Sequence, residues 1–78
     1  MSRYDKILDK ISNNPKNVSF DELRAILEYA GFKLVRTNGS HHIFEYGTRA
    51  IVVPRHKPVK EIYVKNAIKL ILEIRGEK

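Results

Sequence analysis

Seventy-eight residues carry 15 Lys and Arg against nine Asp and Glu, a net charge of +6, and no cysteine. A chain of this size buries only about 60–65% of the surface its unfolded form exposes, so residues 1–78 are expected to form one domain with a modest core and no large cofactor cleft. Without thiols there is no disulfide scaffold or thiolate metal site, and without a run of roughly 20 apolar residues there is no helix to span a bilayer; a cytoplasmic protein with no membrane contact is expected.

Tyr4, Ile7, Leu8 and Ile11 recur at helical spacing, which predicts a short amphipathic helix over about residues 2–12, stopped by Asn13-Asn14-Pro15. Alone it would be marginal in water and needs a partner face. Ser19-Phe20-Asp21-Glu22 is a capping box, in which the Ser19 hydroxyl accepts from an amide of the first turn while Glu22 reaches back to the Ser19 amide. Phe20, Leu23, Ile26, Leu27 and Ala30 line one side of the helix that follows, and Gly31 supplies the left-handed residue that ends it. Asp21 and Glu22 are favourable charges at a helix N-terminus rather than a catalytic carboxylate pair.

After Gly31 the apolar period changes to two. Residues 32–37 form a first strand, His41 to Tyr46 a second and Ala50 to Val53 a third, joined through Asn38-Gly39-Ser40 and Gly47-Thr48. Pro54-Arg55-His56-Lys57-Pro58 reads as a basic loop held extended by its prolines. From about Lys60 to Arg75 the chain is helical again, with Val64, Ala67, Ile68, Ile71 and Arg75 on one stripe. Ile62, Leu70, Leu72 and Ile74 widen that stripe beyond one sheet face, which makes room for the first helix or for a second subunit. The order α-α-β-β-β-α predicts an α+β, two-layer fold: a three-stranded antiparallel sheet with helices on one face and the other face open.

The chemistry gathers at Gly39-Ser40-His41-His42. Between Lys33 and Lys60 the basic residues are Lys33, Arg36, Arg49, Arg55, Lys57 and Lys60, accompanied by all three histidines and opposed only by Glu45. Such an excess favours a phosphate-bearing partner, although a solubilising surface would look the same. Alternation places His41 with Ile43 and Glu45 on the wetter face, and His42 with Phe44 and Tyr46 on the helix-packed face. His41 is then the accessible imidazole and His42 the structural one. Backbone amides at Gly39 and the Ser40 hydroxyl can approach a phosphate, and Lys33, Arg36, Arg55, His56 and Lys57 can bind one.

RNA suits so spare a site because its own 2′-hydroxyl is the nucleophile. The protein need only move a proton through His41, as general base and acid, and neutralise the charge that develops on phosphorus. No metal or other cofactor is expected, since His41 and His42 alternate to opposite faces and cannot aim at one ion together. Ser40 has no separate base and acid partner in view, which argues against a serine nucleophile. The alternative is a non-catalytic RNA-binding module built on the same sheet and charge.

Gly39-Ser40-His41 with Phe44 three residues on, then Ile51-Val52-Val53-Pro54-Arg55-His56 and a closing helix, resembles the HicA family of toxins from type II toxin–antitoxin pairs. Phe20-Asp21-Glu22-Leu23 and Gly31-Phe32 are similar to that family's first helix and its exit, so the likeness runs from about Asn17 to Leu72. The resemblance implies a double-stranded-RNA-binding-like fold, an endoribonuclease that cleaves mRNA, and inhibition by a cognate HicB-type antitoxin that covers the active site. The family's catalytic histidine falls on His41, and His56 matches its second histidine in a supporting role. The helix at residues 2–12 lies outside the family core.

Overall fold

A computed structural model describes residues 3–76. The chain runs α1 (Arg3–Asn13), α2 (Phe20–Ala30), β1 (Lys33–Asn38), β2 (His41–Tyr46), β3 (Arg49–Pro54) and α3 (Glu61–Gly76), which is the expected α-α-β-β-β-α order. The strands form one antiparallel sheet in the order β1-β2-β3. The expected helix start at Ser2 lies outside the described residues.

Local chemistry sets the boundaries. Ser19 caps α2 by accepting from the Glu22 amide at 3.1 Å, while the Glu22 carboxylate accepts from the Ser19 amide at 3.3 Å. At the other end Gly31 takes φ +112°; its amide donates to Glu28 at 3.1 Å and the Phe32 amide donates to Leu27 at 2.9 Å. This paired closure uses Phe32 as part of the helix stop. The first strand therefore begins at Lys33 and not at Phe32. Lys60 similarly serves as the cap of α3, its carbonyl accepting from Tyr63 and Val64, so that helix starts one residue later than its periodicity suggests.

The helices cover one face of the sheet. Phe44 and Val53 from that face pack with Leu23, Leu27, Val64, Ala67 and Ile71, all buried, and each large side chain taken fully out of water stabilises the fold by about 2–3 kcal/mol. Helix α1 lies against both α2 and α3, and buries Leu8 and Ile11. Ile74 is buried in the same cluster, as expected of the widened stripe, but Ile62 and Leu72 are not. They remain 63% and 53% exposed, because α1 reaches only one flank of α3.

Two further features depart from the sequence expectation. The β1–β2 register slips between Leu34 and Arg36, leaving Val35 as an extra residue in a bulge. The segment after β3 is not simply extended: it bends at Lys57 and Pro58, whose peptide bond is cis, and Val59 then pairs with Val18 ahead of α2. The Val59 amide donates to the Val18 carbonyl at 2.9 Å and both side chains are buried, which draws the chain back across the helix start.

Candidate nucleic-acid site at the His41 end of the sheet

Gly39 and Ser40 make the two-residue link between β1 and β2, with Gly39 at φ +62° and nothing within 4 Å of where a Cβ would stand. A glycine first in such a link gives the backbone twist that a hairpin needs and leaves its amide open to approach. His41 follows immediately as the first residue of β2. It pairs with Asn38 on one side and Pro54 on the other, and its side chain is exposed on the face away from the helices.

His42 does the opposite. Only 8% of it is accessible, its ring lies 4.6 Å from that of Phe20, and its Nδ1 is 3.0 Å from the Ser40 carbonyl. A carbonyl can only accept, so this contact requires the Nδ1–H form of His42. The same Ser40 carbonyl accepts the Arg55 amide at 2.7 Å. One backbone oxygen therefore ties the glycine turn, the buried histidine and the start of the basic loop together. Because the loop is also anchored at Val59, it is held at both ends.

The predicted cations divide into two groups. Arg36 pairs with Ile43 and Lys33 with Glu45, so both share His41's face. Two residues along a strand span about 7 Å, which puts Arg36 one step from His41 and Lys33 two steps away, beside Glu45. Arg55, His56 and Lys57 are exposed at the same end of the sheet as His41. Arg55, however, leans toward the helices, its guanidinium carbon 5.4 Å from the centre of the Phe20 ring. Phe20 thus contacts both Arg55 and His42, a role that α2's periodicity, which marks it only as a core residue, does not reveal.

None of Lys33, Arg36, Arg55 and Lys57 forms an ion pair among the described residues, so their charge remains available to a ligand. Among the described residues no three His, Asp or Glu side chains converge as a metal site would require. A concavity of about 390 Å³ between the helices, lined by Tyr4, Leu8, Ile26, Tyr29, Ile71 and Ile74, lies on the covered side of the sheet and takes no part in the His41 site.

A family model described as the HicA toxin of bacterial toxin-antitoxin matches residues 20–71, about two-thirds of the chain. The chain belongs to the HicA toxin family. It is accordingly the toxin component of a toxin–antitoxin system, and an antitoxin partner follows from that membership. The match begins at the first residue of α2 and ends within α3, so it includes the glycine turn, His41 and the basic loop but not α1. No curated protein and no solved structure matches the chain. No helix among the described residues is long and apolar enough to cross a membrane.

Proposed function

We propose that this HicA toxin is a metal-independent endoribonuclease that cleaves mRNA in the cytoplasm, with His41 as the proton-transfer group. The observation that carries the reading is the exposure of His41 on the open face, directly after a glycine turn, while the adjacent histidine is buried and hydrogen-bonded. His41 takes the proton from a ribose 2′-hydroxyl as the 2′-oxygen attacks the neighbouring phosphorus. The bond from phosphorus to the 5′-oxygen breaks, and the proton held by His41 passes to that leaving oxygen. The products are a 2′,3′-cyclic phosphate and a 5′-hydroxyl, with atoms and charge balanced and no water consumed.

The remaining residues bind and orient. Arg36, on His41's face, neutralises charge as the phosphorane forms, and the Gly39 and Ser40 backbone approaches a phosphate oxygen. Arg55, His56, Lys57 and, farther along the face, Lys33 hold flanking phosphates. The antitoxin, of HicB type, covers this same open face, where exposed Val35 and Val52 lie among unpaired cations and fit an acidic, partly apolar surface.

The test is chemical. A defined mRNA is incubated with the purified protein, alongside the same RNA carrying 2′-deoxyribose at the cut positions. The proposal expects cleavage of the first only, with cyclic-phosphate ends. Equal cutting of both would remove the 2′-hydroxyl mechanism.

A further inference from the structure

The two outer edges of the sheet are built differently. Along β1 the edge is interrupted by the Val35 bulge and carries Lys33 and Arg36, devices that keep a strand edge from pairing with other chains. Along β3 the register with β2 runs unbroken from Arg49 to Pro54, and Ala50-Ile51-Val52-Val53 presents four uncharged residues in a row. Among the described residues β3 has no strand on its outer side. Natural proteins seldom leave such an edge uncovered.

Beside that edge runs a shallow groove of about 410 Å³, walled by Ala50, Ile51 and Val52 on one side and by Tyr63, Lys69, Leu70 and Glu73 of α3 on the other. Lys69 and Glu73 are both exposed, and neither forms an ion pair among the described residues. They sit four residues apart with Lys first, the less favourable order for pairing within one helix. In contrast, Glu61 and Lys65, with the acid first, pair at 3.9 Å. The groove wall is thus neutral in a chain of net charge +6, and it carries one charge of each sign a helical turn apart.

We propose that this edge is the contact surface for a second copy of the chain, with β3 pairing antiparallel to β3 about a two-fold axis. Such an axis turns two sheets into one of six strands and lays α3 antiparallel to α3, each filling the other's groove. Lys69 of one copy then meets Glu73 of the other, twice, which satisfies both charges. Ile62, otherwise exposed on α3, gains cover near the same flank. The open face stays free, so both copies keep His41 accessible, and the inference holds whether or not the site cleaves RNA.

Sedimentation equilibrium of the purified full chain tests this. The parent is expected at twice its 9.1 kDa. Lys69→Glu should raise the dimer dissociation constant by about tenfold or more, and adding Glu73→Lys should restore dimerisation by swapping both charges across the axis. Circular dichroism should show all three folded, because both positions are exposed on a helix. A parent that stays at 9.1 kDa up to high concentration overturns the proposal. So does protection of β3 amides from exchange only when antitoxin is bound, which would give the edge to the antitoxin. A double swap that fails to recover the dimer weakened by the single change overturns it as well.

Discussion

Lys10, Arg24, Lys65 and Arg75 each stand against a carboxylate at 3.1 to 3.9 Å, whereas Lys33, Arg36, Arg55 and Lys57 stand against none among the described residues. The first group belongs to the helices and the second to the open face of the sheet and the loop that follows β3. The two neighbouring histidines divide along the same line. His42, on the helix side, is buried and bonded to a backbone carbonyl, while His41 is exposed one residue away. Four cations of the helical layer are matched by carboxylates within the chain, whereas these cations of the open face and loop are not, among the described residues. Such a difference is expected where one region holds the fold together and the other meets a ligand that is not part of the chain.

The sharpest break in this comparison comes from exchanging the two histidines' fates. His41→Ala should lower RNA cleavage by about 10²-fold or more while leaving the melting temperature unchanged, since it removes an exposed group and no core packing. His42→Ala should act the other way round. It leaves the Ser40 carbonyl short of a donor and opens space beside Phe20, which costs roughly 2–3 kcal/mol of stability in a denaturant titration. If His42→Ala left stability unchanged, its burial would carry no weight.

Smaller effects refine the contrast. Arg36→Gln should weaken RNA binding with little change in stability. The slope of log affinity against log salt should become shallower by about 0.7, the share of a single phosphate neutralised on a single strand. The same substitution at Arg24, whose charge is already paired with Glu28, should leave that slope alone.

The least effect belongs to Glu22. The Lys10 hydrogen bond, followed by the Ser19 amide, holds its carboxyl below the ordinary value. A carboxyl lowered by folding adds stability above its unfolded pKa, and that stability is lost as pH falls through the folded value. Between about pH 5 and pH 3 the parent should therefore lose slightly more stability than Glu22→Gln. The difference is about 0.5 kcal/mol or less because Lys10 is largely solvent-exposed. Thermal melts across that range check it.

What could be read from the sequence was local. The capping box at Ser19, the left-handed stop at Gly31 and the glycine turn at Gly39 each follow from a few adjacent residues, and strand alternation alone separates His41 from His42. The rest depends on contacts distant in sequence. Plain alternation from Leu34 would turn Arg36 toward the helices; the Val35 bulge, invisible in the residue types, puts it on His41's face instead. Phe20 reads as a core residue because its helical stripe says nothing of Arg55 or His42 approaching it from β2 and the loop. The bend at Lys57 and Pro58 depends on Val59 finding Val18, a pairing across 41 positions. Exposure of Ile62 and Leu72 likewise depends on where α1 settles against α3.

Induced expression of the parent and of His41→Ala in growing cells, without antitoxin, probes the exposed imidazole most directly. Growth arrest by the parent, and none by the variant at equal protein level, is the expected result. Equal arrest by both would contradict the account, because a toxin that works without this ring acts by some other means than proton transfer at His41.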